Sequence, residues 1–399
     1  MPAPTASPAL VLLASVLKPV DDTRMRGKFA RTLAGLGVRV AVAGQASAAA
    51  QPAAGITLHP LFSGGRLSLA RLAAQGRYWR LLQRLRPALV VVHAPELLPL
   101  TLLWRALGGG RQFVYDIREN YALNVGTQQV YRGLAKRLLA AGLRWVEGAA
   151  ARRAAAVLLA EASYADELPF LPALPPDRVL LLENKYQPAP GEALPPLARP
   201  LPASTDPLRL LFSGTISELN GVREAIALTQ ALRQAWPGGA VLTIIGFCQQ
   251  PALLRELQAL AAAESAWLRL VGGAALVPHA RIVAEIGRSH LGLLPYRPHP
   301  STARCRPTKL FEYLAHGLPV LVPSNPLWAS VVQAHGAGLV VDFMAPAQAA
   351  AAVATALPTA QFYPAGVPTE PVLWAGEGKK LGDLLKSLGL GPTFAAPFA

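Results

Sequence analysis

The chain has 399 residues, 52% of them apolar and 15% charged. It therefore carries material for large buried cores over about two or three domains, which excludes a disordered chain or a small disulfide-stapled scaffold. The net charge of +15 lies wholly in residues 1–160, which hold 21 Lys/Arg against 6 Asp/Glu, while residues 161–399 hold 17 of each; the first part is expected to face an anionic partner, whether nucleic acid, a membrane surface or a phosphorylated substrate.

The first apolar run, Leu10–Leu17, has no basic residues before it and Lys18 after it, so it reads as a buried strand and not a signal peptide. Further short aliphatic runs follow at Val38–Val42, Leu89–Val92, Phe113–Asp116, Val157–Leu159 and Val179–Leu182. Runs of this kind suit strands buried on both faces. Between them, Thr23–Leu36 and Tyr131–Arg153 are long enough for helices, and the alternation implies a parallel, doubly wound sheet. Gln187–Pro207 then places seven prolines in 21 residues, which excludes helix and central strand and marks a linker. The pattern restarts with Leu208–Phe212, Val241–Ile245, Trp267–Val271, Leu291–Leu294, Val320–Val322 and Leu339–Val341, and a last helix is expected over about Gly376 to Leu388. The division is thus a Rossmann-like domain over 1–186, a linker over 187–207, a second Rossmann-like domain over 208–365, and a closing helix and tail over 366–399. Two such α/β domains are expected to face a central cleft at the carboxyl ends of their strands. The charge-free stretches 40–65 and 343–369 are too weakly apolar to span a membrane. Two cysteines, Cys248 and Cys305, form no disulfide framework and no CxxC pair, which fits a reducing, cytoplasmic setting.

The most informative segment is Leu291–Val322. A strand ends at Pro295, a loop carries Arg297, Arg304, Arg306 and Lys309, and a helix begins near Pro307–Thr308 with Glu312 one turn inside it; Gly317 ends that helix. Cations at a helix N-terminus oppose its dipole unless an anion sits there, and a diphosphate satisfies that condition. Glu312 is placed to accept hydrogen bonds from ribose hydroxyls. The plainer alternative is a solvated basic loop in which Glu312 pairs with Lys309.

The segment PTKLFEYLAHGLPVLV resembles the donor-binding signature of retaining, family 4-like (group 1) glycosyltransferases of the GT-B fold. LFSGTISELNGVREAIAL resembles the first strand and loop of that family's nucleotide domain, and LTIIGF and LRLVGG resemble its next two strand ends. Further likenesses run through Val16–Gly44, VVHAPELLPL, FVYDIREN and the terminal Trp374, Glu377 and Lys380–Leu381, in the family's order over nearly the whole chain. The resemblance implies that Glu312 binds the nucleotide ribose, that Gly214 and Thr215 lie against the diphosphate, and that Gly272 lies near the base. It also implies that a histidine at the place of His93 contacts the donor sugar near the reacting centre, that anomeric configuration is retained, and that neither metal nor other cofactor is required. Two positions depart from the family pattern. Arg304 stands where many members carry the first glutamate of Glu-x7-Glu, and Asn220 stands where many carry a diphosphate-binding lysine. Either the cations of residues 297–309 take over the phosphate role or the protein is a catalytically inactive member that binds a nucleotide or glycan within an assembly.

In the first domain, His93 follows a predicted strand and faces the expected cleft. Asp116 and Glu119 end another strand and are candidates to orient an acceptor hydroxyl, with pairing to Arg118 as the structural alternative. Asp22, Arg24 and Lys28 sit on the first loop, available for an acceptor phosphate, or in the case of Asp22 for capping the helix that follows. Basic helical stretches occur at Arg66–Pro87, with Arg77, Arg80 and Arg84 on one face, and at Tyr131–Arg153, with Arg132, Lys136, Arg137 and Arg144 beside Trp145. Cationic helices bearing aromatics suit an anionic bilayer surface. No nucleic-acid-binding signature is present, the first loop lacks GxGxxG, no P-loop occurs, and the seven histidines are scattered. The expected protein transfers a sugar from a nucleotide diphosphate donor to a glycan or lipid-linked acceptor at the inner face of a membrane, with nucleotide sugar, acceptor and anionic lipid as its partners.

Overall fold

The computed structural model describes residues 9–47, 50–64, 69–123 and 133–390. The chain forms two compact units, one of Met1–Gln187 with Trp374–Ala399 and one of Pro188–Leu373.

Unit 1 is built on seven parallel strands: β1 (Leu10–Pro19), β2 (Arg39–Gln45), β3 (Ile56–Phe62), β4 (Leu89–Val92), β5 (Gln112–Ile117), β6 (Ala156–Leu159) and β7 (Val179–Leu181). Their spatial order is β3-β2-β1-β4-β5-β6-β7. Side chains of β1 alternate between two cores: Leu12, Ala14 and Val16 point to one, Val11 and Leu13 to the other. That double burial is why the strand reads as an unbroken aliphatic run. β3 was not foreseen. It contains Pro60, which withholds a donor, and it lies at the sheet edge where that omission is tolerated. The terminal helix Trp374–Ser387 packs Trp374, Leu381, Leu384 and Leu385 into the core that holds Val11, Met25 and Phe29. The chain therefore returns to unit 1 for its last helix.

Unit 2 has six parallel strands: β8 (Leu208–Ile216), β9 (Ala240–Cys248), β10 (Leu268–Gly273), β11 (Leu291–Leu293), β12 (Val320–Val322) and β13 (Gly338–Val340). Their order is β10-β9-β8-β11-β12-β13. The Pro-rich stretch from Pro188 onwards contains no helix or strand among its central residues and groups with this unit. In both sheets the chain winds outward from the first strand in one direction and then restarts beside that strand in the other. The reversal falls between β1 and β4 in unit 1, and between β8 and β11 in unit 2. Such switch points leave a crevice at the carboxyl ends of the strands, where open α/β sheets bind ligands.

Candidate active site

In unit 1 the switch point is filled by a buried polar network. Asp22 caps the π-helical segment Thr23–Ala30, accepting hydrogen bonds from the amides of Arg24 (3.1 Å) and Met25 (2.9 Å). The same carboxylate receives Arg118 at 2.8 and 3.1 Å. Burial alone would raise its pKa, but the Arg118 guanidinium and the two amides outweigh that and hold it at about 2. One turn of this segment aims Arg24 inward. Its Nε and Nη2 donate to Asp116 at 2.9 and 2.7 Å, and both side chains are essentially inaccessible.

The second partner of Asp116 is His93, whose Nδ1 lies 2.7 Å from Oδ2. Asp116 is held well below the usual carboxylate range because Arg24 and His93 overcome the cost of burial. An ionised carboxylate only accepts, so in neutral His93 the proton sits on Nδ1 and Nε2 is an acceptor. Burial, opposed by Asp116, pushes the His93 pKa down, which favours that neutral form. His93 Nε2 is buried and has no hydrogen-bond partner among the described residues. The ring is steadied edge-on by Phe29, with centroids 5.2 Å apart.

In unit 2 the corresponding crevice holds the Gly214 loop and the helix Thr308–Ala315. Gly214 has φ of +94°, a left-handed conformation that disfavours any side chain. A Cβ there would lie 3.8 Å from Lys309 Cε and 4.0 Å from its Nζ, so the bare backbone of this loop runs beside the lysine. Asn220 Nδ2 donates to the carbonyl of Thr215 at 2.9 Å and ties the loop together. Lys309 is only 9% exposed, and its Nζ has no hydrogen-bond partner among the described residues. The ammonium lies over the rings of Phe212 (4.6 Å) and Tyr296 (5.0 Å). Burial pulls its pKa down to about 7, with Glu312 only partly opposing the drop. Glu312 is itself buried and hydrogen-bonded to His279. Gly272, at the end of β10, has φ of +83°. Among the described residues no group of three or more His, Cys, Asp or Glu is arranged to hold a metal ion.

Residues 24–185 match the glycosyl transferase 4-like domain family. Over its length the chain is similar to solved structures of the GT-B fold. Sucrose-phosphate synthase from Thermosynechococcus elongatus superposes with a TM-score of 0.66 at 14% identity, covering 96% of this chain and 99% of that one. WaaG, a glycosyltransferase involved in lipopolysaccharide biosynthesis, gives 0.61 at 17% identity, covering 96% and 100%. The catalytic domain of starch synthase IV from Arabidopsis thaliana, bound to ADP and acarbose, gives 0.58 at 12% identity, covering 96% and 99%. The chain has the GT-B fold. No curated protein sequence matches it; the structural likenesses carry the fold, and the family match relates residues 24–185 to glycosyl transferase 4-like domains.

Several residues sit differently from the simplest sequence reading. Asp116 pairs with Arg24 and His93, not with Arg118, and both its oxygens are committed, so it positions His93 and is not available to an acceptor hydroxyl in this arrangement. Arg118 instead belongs to Asp22. Glu119 is 42% exposed and pairs with Lys18 at 3.1 Å. Lys28 is buried and donates to the Asn184 carbonyl at 3.1 Å and to its side chain. Glu312 pairs with His279 and not with Lys309, its partner in the plainer alternative, and Arg297 leaves the cationic loop to pair with buried Glu224 at 2.6 Å. Arg304 is exposed and Arg306 half-buried.

His279 and the aromatic cage of Phe212 and Tyr296 were missed. They are brought to the site by strands and a helix far apart in sequence, and no local spacing signals them.

On the helix Leu69–Leu85, Arg77, Arg80 and Arg84 are exposed, with Arg77 also donating to the Leu61 carbonyl at 2.6 Å. Trp145, on the helix Gly133–Ala151, is 72% exposed. Arg66, Tyr131 and Arg132 lie outside the described residues, as does the side chain of Lys136.

Proposed function

We propose that this enzyme transfers a glycosyl group from a nucleotide diphosphate sugar bound by unit 2 to a glycan or lipid-linked acceptor, and that unit 1 attaches it to an anionic membrane surface. The observation that carries the donor reading is Lys309. A buried ammonium with no hydrogen-bond partner among the described residues, beside a glycine loop at a topological switch point, is a site made for a phosphate. Glu312, steadied by His279, is suited to accept from ribose hydroxyls. Lys309 stands in for the lysine absent at Asn220, which favours an active enzyme over a binding-only relative. Cations and oriented amides of this kind stabilise a departing diphosphate without requiring a metal. His93 Nε2 fits a hydrogen bond from a sugar hydroxyl. The reading with retention follows the family resemblance: attack from the face the diphosphate leaves, with that diphosphate taking the acceptor's proton.

Attachment to a membrane is supported by exposed apolar groups among cations. Leu69, Leu72, Leu138, Leu139 and Trp145 are exposed on two helices whose exposed charges, among the described side chains, are arginines. No helix among the described residues is long and apolar enough to cross a membrane, so a surface of this composition is the means of contact that the reading requires.

The test is calorimetry of the purified protein with nucleotide sugars of several bases, in EDTA, followed by transfer assays on extracted lipids and glycans. Donor binding with product formation in EDTA is the expected result. Donor binding without transfer to any acceptor would favour the inactive relative, and no binding of any nucleotide sugar would remove the donor reading.

A further inference from the structure

We propose that the end of unit 1 opposite its crevice is a docking surface for an acidic segment of a partner protein. The seven strands are parallel, so their carboxyl ends share the crevice and their amino ends share the opposite face. The loops at that face carry six arginines: Arg39 at the start of β2, Arg86 ahead of β4, Arg111 ahead of β5, Arg152 and Arg153 ahead of β6, and Arg178 ahead of β7. The same loops carry one carboxylate among the described residues, Asp177. Arg39, Arg86, Arg152 and Arg153 are exposed, and none of the six forms an ion pair among the described residues. The positive excess of unit 1 thus has a second concentration, apart from the outer helix faces of the membrane reading.

Strand order turns these loops into a row. Five steps of the sheet separate β2 from β7, and neighbouring strands lie about 4.8 Å apart, so the arginines spread over about 24 Å. Three of them are held by helix ends. Arg111 Nη1 donates to the Trp104 carbonyl at 2.5 Å, Arg153 Nη1 to the Ala149 carbonyl at 3.2 Å, and Arg178 Nη2 to the carbonyls of Ala151 and Arg152 at 3.2 and 3.3 Å. Capping accounts for those contacts, but a guanidinium has further N–H groups, and carbonyls leave its charge uncompensated. Arg86 has no such contact from its side chain. It stands just past the helix Leu69–Leu85 with φ of +44°, a left-handed position where glycine is favoured. An exposed arginine kept on a strained backbone points to a use for its side chain.

The chemistry of the face selects the partner. Among the described residues its loops expose no aromatic side chain and one large apolar one, Leu107. A membrane contact needs apolar groups to insert, and single-stranded nucleic acid needs aromatic platforms for its bases. This face supplies neither. Its guanidinium groups do supply the forked N–H donors that pair with carboxylates. On an acidic helix, carboxylates three or four residues apart stand about 5–6 Å from one another, close to the strand spacing. A partner seated here leaves the crevice uncovered, because the crevice lies at the other end of the strands. The surface can therefore hold the chain in an assembly without blocking substrate entry.

The experiment follows fluorescein-labelled poly-L-glutamate by anisotropy at low salt. One variant of the full chain combines Arg39→Ser, Arg86→Gly and Arg152→Ser. A second removes the same charge from exposed positions elsewhere on unit 1, with Arg77→Gln, Arg80→Gln and Arg137→Gln. The expected result is that the wild type binds, the first variant binds at least fivefold more weakly, and the second changes less than twofold. Arg86→Gly alone should unfold no lower than the wild type and still weaken binding, so that the loss is not misfolding. Equal losses in the two charge-matched variants, or no binding of poly-L-glutamate by the wild type, would overturn the docking surface. Polyuridylate held more tightly than poly-L-glutamate, and weakened by the first variant alone, would overturn it in favour of nucleic acid. Loss of anionic-vesicle binding in the first variant but not the second would overturn it in favour of the membrane.

Discussion

Replacing Lys309 with methionine separates the cost of the empty site from its use. The amine's pKa falls from 10.5 to about 7 on burial, which corresponds to on the order of 5 kcal/mol of interaction that its protonated form lacks in the unliganded fold. Methionine has a similar reach and packs well against Phe212 and Tyr296. The unliganded Lys309→Met protein is therefore expected to unfold at a higher temperature than the wild type at pH 7. Nucleotide diphosphate affinity should fall at least tenfold, because a charged hydrogen bond to phosphate contributes roughly 1.5–3 kcal/mol. The pH dependence follows the same logic. Between pH 7 and 10.5 the unfolded chain holds a proton that the folded chain has released, so wild-type stability gains from this residue as pH rises through that window. The gain is absent in Lys309→Met. A bound diphosphate restores the charge, so nucleotide-sugar affinity should fall as pH climbs above 7, by up to tenfold per pH unit. Calorimetry in buffers of different ionisation enthalpy reads the accompanying proton uptake. A variant that is less stable when empty yet binds the diphosphate as tightly as the wild type would refute this account of the site.

Three further outcomes are expected. Glu312→Ala should weaken nucleotide binding by roughly 1–3 kcal/mol and Glu312→Gln by less, and unchanged affinity in both folded variants would reject the ribose assignment. Arg24→Met strands Asp116 in the interior and should cost about 3–5 kcal/mol in urea unfolding, against little for exposed Arg84→Met; a loss below about 1 kcal/mol would show that the network is not what holds His93. The protein should sediment with anionic but not neutral vesicles, less so at high salt. The combined change Arg77→Gln, Arg80→Gln, Arg84→Gln and Trp145→Ala should weaken that further without changing nucleotide affinity, and indifference to anionic vesicles at low salt would end the membrane reading.

The strands that could be read from the sequence are those buried on both faces. β1, β4 and β12 announce themselves because both sides of each strand meet apolar cores, leaving no polar position to break the run. β3 escaped because an edge strand with one open side tolerates Pro60 and His59 and so loses that signature. The helix start at Thr308 and its stop at Gly317 were equally local, written in a proline before the first turn and a glycine with φ of +62° after the last. Asp22 as a helix cap was legible for the same reason, since a cap is satisfied by amides two and three residues away.

Partner choice among charged residues was not local and was decided only by the tertiary structure. Asp116 could be read as a strand-end carboxylate, but its commitment to Arg24, 92 residues earlier, depends on β1 and β5 both ending at one crevice. Glu312 lay three residues from Lys309, and sequence distance favoured that pair. The helix instead turns Glu312 towards His279 and leaves Lys309 over two rings, its Nζ without a hydrogen-bond partner among the described residues, a difference of direction that spacing cannot express. By itself the sequence determined the two Rossmann-like sheets and the bounds of the helix that carries Lys309 and Glu312, because burial and turn geometry act over a few residues. Which charged group found a buried partner and which did not required the fold, because electrostatic pairing in a buried crevice depends on elements brought together from across the chain.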